Sequence, residues 1–440
     1  MTLIYDLIKY RGNLPIATPL QAVIYWCAQV LGLLFFLMYF HQMIYLIVGT
    51  LRQSKVKDKE FKKHTIGIVI PARNESKVIG NLIKSIRAND YPQELIKIFV
   101  VADNCTDDTA QICRDLDCIV FERFDTEKIG KGFVLHWLFD QLHKQPEYSN
   151  LLPDAYIVID ADNVLKENFI TEINKVYDSG YEMVTSYRNS KNFGKNWITA
   201  GYGYWFLHEA RHLNNSRMIM GVSCAISGTG FLISRKVVEE FGNWSFFTLT
   251  EDIQCSTEYT LTNKKVGYCG NAELYDEQPE TFKQSWIQRK RWAKGFYQVF
   301  GRHGGKLFAK SLRSFSCWDV LTTLFPAVFI TLASLLIVPA CTIAALCIGE
   351  YASLLYILQY LGISLAGMYM VMFVLALLVA ITEWKKIKCP NYKKILYLFT
   401  FPFFEATYIP IAVVALFQKI TWKPIAHTVN VSLDEINNIK

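Results

Sequence analysis

Four long apolar windows frame one long region that has the polarity of an ordinary globular domain. The first window covers about residues 22–48, and the others cover about residues 320–348, 354–381 and 395–417. A helix of about 20 apolar residues is enough to cross ~30 Å of hydrocarbon. The pattern predicts an N-terminal segment (1–51) with one transmembrane helix, and transmembrane or interfacial helices within residues 319–418.

Basic residues indicate the orientation of these helices. Lysine and arginine are concentrated at positions 52–63, after the first window, and at positions 385–394, between the last two windows. The positive-inside rule places both stretches in the cytoplasm. The last window contains Pro402, Glu405 and Pro410, so both a membrane span and an interfacial segment remain open for it. The side of the membrane on which the tail (419–440) lies is open for the same reason.

Between the windows, residues 52–280 alternate between short apolar runs and stretches with helical periodicity. Strands are predicted at residues 65–71, 96–102, 118–121 and 156–159, with helices at 75–88 and 108–116. Alternating strands and helices favour an α/β domain with a parallel, Rossmann-like sheet covered on both faces. Ligands of such sheets bind beyond the carboxyl ends of the strands.

Composition narrows the class of protein. The chain has 440 residues, of which 52% are hydrophobic and 19% charged, which excludes a disordered chain, a collagen and a small disulfide scaffold. The net charge of +7, without a recognisable reader motif, suits a membrane protein with a basic inner face and not a nucleic-acid partner. The 11 cysteines form no C-x-x-C pair, which predicts reduced thiols and no cysteine metal site.

Acidic residues follow two of the predicted strands. Asp160 and Asp162 end the strand at 156–159, where two repelling carboxylates would favour Mg²⁺ or Mn²⁺ together with substrate phosphates. The alternative is a solvated turn. Asp103 follows the strand at 96–102. The alternative for it is a helix cap, a role that Thr106, Asp107 and Asp108 fill more naturally.

Three further segments carry candidate chemistry. The PARNE segment at residues 71–75 follows the first strand and is also a plausible helix start. Lys131 lies between two glycines in a loop suited to a phosphate, although the P-loop spacing is missing. Glu251 or Asp252 has the chemistry to accept a proton from a sugar hydroxyl, and the alternative is an acidic helix start capped by Thr250.

Residues 281–318 are rich in basic and aromatic residues and contain no acidic ones. This composition predicts amphipathic helices on an anionic membrane face. Gln288, Arg291 and Trp292 also form a group suited to stacking on a sugar and holding a diphosphate.

Five of these segments, taken in order, resemble the motifs of the family-2 processive glycosyltransferases, which include cellulose, hyaluronan and poly-N-acetylglucosamine synthases. They are PARNE (71–75), ADN (102–104), DAD (160–162), TED (250–252) and QRKRW (288–292), the last matching the family's Q-x-x-R-W. The resemblance implies a cytoplasmic GT-A domain at 52–280 fused to transmembrane helices. It also implies an inverting, metal-dependent hexosyl transfer from a UDP-sugar.

The resemblance also implies roles for individual residues. Asp252 would be the catalytic base, and Asp162 with Asp160 would hold Mg²⁺ or Mn²⁺. Residues that would bind the nucleotide are Pro71, Arg73, Glu75, Asp103, Lys131 and Asp160. Residues that would bind the acceptor or the diphosphate are Ser227, Gly228, Thr229, Glu251, Gln288, Arg291 and Trp292.

The chain departs from the family pattern in two places. Its second motif is ADN, where the family often has D-D-G, and the F-x-V-T-x-K gating loop of the cellulose-type members is not found. The segment that begins at Trp422, with His427 beyond it, is a candidate counterpart of that loop and requires a cytoplasmic tail. We expect a multi-pass plasma-membrane enzyme that extends a β-linked polysaccharide from UDP-N-acetylglucosamine or UDP-glucose and helps to translocate it. A complete channel would need a second copy or an accessory membrane subunit.

Two alternatives differ in what the site does. One is a single-transfer enzyme that glycosylates a membrane lipid, and product length distinguishes it. The other is a transporter or channel with a regulatory nucleotide-binding domain, which would keep its activity after Asp252→Asn.

Overall fold

The computed structural model describes residues 18–56, 60–324, 326–422 and 427–438. The chain divides into two compact units. One comprises Met1–His41 with Pro326–Val371, and the other comprises Gln42–Phe325 with Met372–Lys440. The second unit contains the α/β domain and is the one that positions the candidate site.

The α/β domain contains eight strands. They are β1 (Ile66–Ala72), β2 (Ile96–Asp103), β3 (Ile119–Arg123), β4 (Ala155–Val158), β5 (Val164–Leu165), β6 (Met183–Ser190), β7 (Phe231–Ser234) and β8 (Gly267–Asp276). The α-helices of the described residues are α1 (Pro19–Leu51), α2 (Ile79–Arg87), α3 (Thr109–Asp115), α4 (Lys131–Lys144), α5 (Phe169–Asp178), α6 (Trp197–His208), α7 (Asn215–Ile219), α8 (Arg235–Glu240), α9 (Glu251–Leu261), α10 (Phe282–Ser311), α11 (Phe315–Leu324), α12 (Pro326–Cys347), α13 (Tyr351–Glu383), α14 (Asn391–Ala406), α15 (Tyr408–Phe417) and α16 (Leu433–Asn438).

The strands form one sheet in the order β3-β2-β1-β4-β7-β6-β8-β5. The first four are parallel, as the alternating pattern predicts, and their carboxyl ends meet at one edge. The expectation of a wholly parallel sheet is wrong, because β7 runs antiparallel to both β4 and β6. The result is a mixed α/β sheet of the GT-A type, so the predicted fold class is confirmed.

Both faces of the sheet are buried. Along β1, Val69 packs into one hydrophobic core while Ile68 and Ile70 pack into the other, because successive side chains of a strand point to opposite faces. All three side chains are fully buried. This is why the strand reads as a continuous apolar run instead of an alternating one.

Three helical segments are long and apolar enough to cross a membrane, by length and composition, among the described residues. They are Pro19–Leu51, Tyr351–Glu383 and Asn391–Phe417. The window expected at 320–348 is instead shared by α11 and α12, and proline stands at the first position of α12, where its missing N–H is harmless. In α11, Asp319 forms a buried ion pair with Arg217 of the α/β domain, with Nε and Oδ2 2.6 Å apart. The start of that window therefore packs on the domain.

The segment formed by α14 and α15 contacts the α/β domain at both of its ends. At its start the Tyr204 hydroxyl donates to the Lys394 carbonyl (2.6 Å), and near its end Tyr297 donates to the Ala412 carbonyl (3.0 Å). At the break between the two helices, Arg289 Nη1 donates to the Phe404 carbonyl (3.0 Å). The whole segment thus lies along the domain.

Candidate functional site

A cavity of about 270 Å³ opens at the carboxyl edge of the parallel strands. Residues from all five sequence motifs line it, together with Lys131, Ser227 and Gly228. Of the predicted site residues, Thr229 alone is not part of the lining. The structure therefore brings together side chains that are as much as 221 positions apart in the sequence, from Pro71 to Trp292.

Two asparagines tie together the loops after β1, β2 and β3, since Asn74 bonds the loop after β2 and Asn104 bonds Asp125 in the loop after β3. Asn74 and Asn104 have positive φ values (58° and 51°), a conformation that asparagine tolerates better than most residues. The side-chain oxygen Oδ1 of Asn74 accepts from the Thr106 amide at 2.8 Å. Asp103 is 4% exposed and accepts from Arg123, so it faces the cavity and does not cap a helix. Asp107 performs the cap-like role by accepting from the Thr109 amide.

Asp160 and Lys131 form an ion pair across the cavity wall. The Lys131 ammonium also donates to the Gly228 carbonyl at 2.6 Å. Thr229 acts behind this pair, since its hydroxyl oxygen accepts from the Asp160 amide at 2.9 Å. Thr229 therefore holds Asp160 in position without reaching the cavity.

Asp162 is a buried carboxylate with an excess of negative charge around it. It is 3% exposed, and the Asn163 side-chain amide bridges it to Asp276 with bonds of 3.2 and 3.0 Å. Burial, followed by the charge of Asp276, raises the pKa of Asp162 well above its ordinary range. Arg188 compensates the charge of Asp276, and a cation bound at Asp162 would relieve the repulsion between the two carboxylates.

This donor set fits Mg²⁺ or Mn²⁺. Carboxylate oxygens are the ligands that these hard cations prefer, and Mg²⁺ commonly takes one or two carboxylates together with water and substrate phosphates. Among the residues that the structure describes, no three His, Cys, Asp or Glu side chains are grouped closely enough to hold a metal ion by themselves. Asp160 and Asp162 would therefore need oxygens of the substrate to complete the coordination.

Glu251 and Asp252 begin helix α9 and are 7% and 9% exposed. Burial, then the adjacent charge of Asp252, raises the pKa of Glu251 to about 7. Burial also raises the pKa of Asp252, against the opposing charges of Lys131 and Arg291. The Thr250 side chain makes no capping hydrogen bond, so the simple interpretation of TED as a capped helix start is wrong.

Helix α10 carries Gln288, Arg291 and Trp292 into the same cavity. It begins with a capping box formed by Thr281 and Gln284. Gly295 allows it to approach the TED turn, because a Cβ there would lie 2.4 Å from the Thr250 hydroxyl oxygen.

The tail returns to the cavity from the far end of the chain. Trp422 lines it and lies beneath Arg73, whose guanidinium carbon is 5.6 Å from the ring centroid. His427 Nδ1 lies 3.0 Å from a Glu75 carboxylate oxygen. Burial alone would lower the pKa of His427, but Asp162 and Glu75 overcome this and raise it to about 10. A positive charge thus stands beside the acidic cluster.

Sequence reasoning missed four charged residues of the lining: Arg188, Glu209, Asp276 and Glu277. Arg188 Nε donates to Asp276 at 2.8 Å, and its Nη1 donates to the Ser227 carbonyl at 2.8 Å. Arg188 lies within β6 and Asp276 ends β8, two strands that are neighbours in the sheet but far apart in sequence. The polar residues in these two strands are the signal that could have found Arg188 and Asp276.

The fold and the acidic cavity define a GT-A-type transferase domain, and comparison with known proteins identifies its family. Residues 64–295 match the family model described as "Glycosyltransferase like family 2". Because the match covers more than half of the chain, this protein belongs to family 2 of the glycosyltransferases.

Named relatives differ in what they make. The chain is 26% identical over 239 residues to the beta-monoglucosyldiacylglycerol synthase of Synechocystis sp. (53% of this chain, 48% of the relative). It is 22% identical over 283 residues to the poly-beta-1,6-N-acetyl-D-glucosamine synthase of Staphylococcus epidermidis (59% and 64%). The matches span about half to two-thirds of these relatives' own lengths.

Among solved structures, the mannosyltransferase PcManGT of Pyrobaculum calidifontis, determined with GDP-Man and Mn²⁺, matches with a TM-score of 0.55. The match has 15% sequence identity and covers 90% of this chain and 99% of that one. At this identity the similarity concerns the fold.

Proposed function

We propose that this protein is an inverting membrane glycosyltransferase that adds sugar from a UDP-sugar to a growing β-linked polysaccharide and helps to translocate it. The observation that carries the proposal is the convergence of Asp103, Asp162, Asp252 and Arg291 on one cavity at the carboxyl edge of the sheet. The donor belongs to the UDP-N-acetylglucosamine or UDP-glucose class.

In this proposal the nucleotide occupies the side of the cavity formed by Pro71, Arg73, Glu75 and Asp103. Arg73 Nη1 is buried and has no hydrogen-bond partner among the residues described, so a ligand that supplies an acceptor would satisfy it. Lys131 begins helix α4, and a cation at a helix N-terminus is suited to a diphosphate.

Asp162, with Asp160, would hold the divalent cation. When bound, such a cation neutralises the negative charge that grows on the departing diphosphate. Mn²⁺ in the structure of PcManGT is consistent with this assignment. Arg291 supplies a fixed positive charge from the other wall of the cavity.

The transfer itself is a single displacement. Asp252 takes the proton of the acceptor hydroxyl as that oxygen attacks the anomeric carbon of the donor sugar. The bond from that carbon to the diphosphate breaks, and UDP leaves with the bonding electrons. Because attack comes from the opposite face, an α-linked donor gives a β-linked product. Glu251, Gln288 and Trp292 shape the acceptor side, and Gln288 Oε1 is a buried acceptor that lacks a partner in the described part of the chain.

A second candidate is a single transfer to a membrane lipid. It is favoured by the similarity to beta-monoglucosyldiacylglycerol synthase, which has slightly higher identity than the polysaccharide synthase. The QRKRW segment and its place in the cavity support polymerisation instead.

We propose that the catalytic domain and the tail both lie in the cytoplasm, beneath the plasma membrane. The basic stretches after α1 and after α13 support this orientation. The contacts of α14 and α15 with the domain at both ends favour an interfacial segment over a span, which returns Trp422 and His427 to the cavity on the cytoplasmic side. A second copy or an accessory subunit would complete the channel.

The purified full-length chain in lipid nanodiscs, given Mg²⁺ or Mn²⁺ and a panel of radiolabelled UDP-sugars, tests the proposal. We expect release of UDP and a long product that a linkage-specific β-glycosidase degrades. A product with one added sugar on lipid would support the second candidate. Absence of UDP release with every donor would refute both.

A further inference from the structure

A carboxylate that belongs to none of the five motifs lines the cavity beside the proposed base. Glu209 follows α6 and is half-buried, with its carboxylate accepting a hydrogen bond from the Ser227 hydroxyl. The mechanism proposed above does not use it. Withdrawing a carboxylate from water costs free energy unless hydrogen-bond donors replace the lost water. Glu209 is partly withdrawn in this way, so we expect a ligand in the cavity to supply donors to it.

The backbone at this point departs from an ordinary α-helix. Residues Glu209–Asn214 form a π-helical turn between α6 and α7. Such turns are rare and are often found at functional sites. Trp205 lies one turn before Glu209, is 36% exposed and lines the same cavity. An aromatic ring and a carboxylate therefore lie on one face of this helix.

A glycine with a left-handed backbone conformation borders the cavity beside the base. Gly228, next to Ser227, has φ +78°, and a Cβ there would lie 3.8 Å from Asp252 Oδ2 and 3.9 Å from Arg188 Nη1. A larger residue would enter the space beside the base and would also be strained. Gly228 therefore adds no side chain to the part of the cavity that lies near Asp252 and Arg188.

The chemistry of this corner suits a sugar that carries several hydroxyl groups. A carboxylate accepts only, and it has about four acceptor positions, so Ser227 leaves capacity for further donors. Indole rings pack well against the apolar faces of ligands whose polar groups are held elsewhere. A diacylglycerol presents one hydroxyl, which is consumed as the nucleophile, so it would supply Glu209 with no hydrogen-bond donor beyond that of Ser227.

We propose that Glu209 and Trp205 form the acceptor subsite, in which Glu209 accepts hydrogen bonds from hydroxyls next to the attacking one, so that the acceptor is a saccharide and not a bare diacylglycerol. This inference rests on the proposed function and specifies the acceptor of the same site. Glu209 is then a residue that determines acceptor specificity, while Asp252 remains the base.

The test uses the full-length chain with two kinds of acceptor, β-linked disaccharides of glucose or N-acetylglucosamine and dioctanoylglycerol. We expect Glu209→Ala to raise the KM for the disaccharide about tenfold or more, the scale of one hydrogen bond to a charged group. The KM for the UDP-sugar should rise much less than the KM for the disaccharide, because other residues form the nucleotide side of the cavity. Glu209→Gln, which keeps one acceptor oxygen, should lie in between. Glu239→Ala on α8, whose side chain is 53% exposed, is the matched control and should behave as the wild type.

An unchanged disaccharide KM in Glu209→Ala, or an equal rise in the KM for the UDP-sugar, would overturn the inference. Better use of dioctanoylglycerol than of disaccharide by the wild type would also overturn it. If the wild type releases no UDP from any donor, the proposed function fails. Quenching of tryptophan fluorescence by the disaccharide in the presence of UDP then reads the subsite directly. Weaker binding to Glu209→Ala would support it, and equal binding would refute it.

Discussion

Replacing Asp252 by asparagine removes the proposed base and nearly preserves its shape. The carboxylate is 9% exposed and begins helix α9, so little solvent is available to take over the proton. General-base catalysis contributes about 10²–10⁴-fold, and we expect kcat of Asp252→Asn to fall within that range. The KM for the UDP-sugar should change little, because the nucleotide side of the cavity is formed by other residues.

Glu251 provides the matched control, because it is adjacent, equally buried and also acidic. Glu251→Gln should reduce kcat much less than Asp252→Asn. Removing the Asp252 charge also takes away one cause of the raised pKa of Glu251, so in Asp252→Asn that pKa should move below about 7.

The pH dependence of the activity is a second test of the assignment of Asp252 as the base. The base must be ionised, and burial raises the pKa of Asp252, so the activity of the wild type should decline as the pH falls through that raised value. This acidic limb should disappear in Asp252→Asn. The assay is radiolabel transfer with saturating donor across a pH series. Wild-type kcat in Asp252→Asn, or loss of activity in Glu251→Gln alone, would show that the base is assigned to the wrong residue.

Three further predictions concern the metal, the tail and the fold. Asp162→Ala should lower turnover by about 10²-fold or more and raise the concentration of Mg²⁺ or Mn²⁺ needed for half-maximal activity, because it removes a carboxylate that would hold the cation. An unchanged metal dependence of the activity would contradict this role. His427→Gln should raise the KM for the UDP-sugar more than it lowers kcat, because it removes a positive charge beside Glu75, and an unchanged KM would separate the tail from donor binding. Asp319→Asn should lower the free energy of unfolding by about 3–5 kcal/mol, because it leaves the buried charge of Arg217 without its anionic partner. Thermal unfolding in detergent measures this, with the exposed Asp115→Asn as the control.

The loops after β1, β2 and β4 were predictable because each follows a strand that the hydrophobic pattern predicts. Runs such as those of β1 and β2 are apolar on both faces, and chemistry at the carboxyl edge of a parallel sheet follows from topology. Knowing where two strands end was enough to group Asp103, Asp160 and Asp162.

The remaining polar residues of the site depend on pairing that local patterns do not encode. Arg188 and Asp276 meet because β6 and β8 are parallel neighbours, although 88 positions separate them. Glu209 reaches the cavity through a π-helical turn, which has no signature in the hydrophobic pattern. The antiparallel β7 was missed for a similar reason, since a short buried strand reads the same in either direction.

Hydropathy has the same limitation for α14 and α15. A helix that rests on a domain beneath the bilayer and a helix that crosses it both need a long apolar surface, so the two are alike in composition. What distinguishes them here is a set of donors on the α/β domain that hold main-chain carbonyls along the segment: Tyr204 at its start, Arg289 at the central break and Tyr297 near its end. A span would carry one end about 30 Å away from the domain and break one of these contacts. The same contacts keep the tail close enough for His427 to reach Glu75. The path of α14 and α15 therefore determines whether His427 can be part of the donor site.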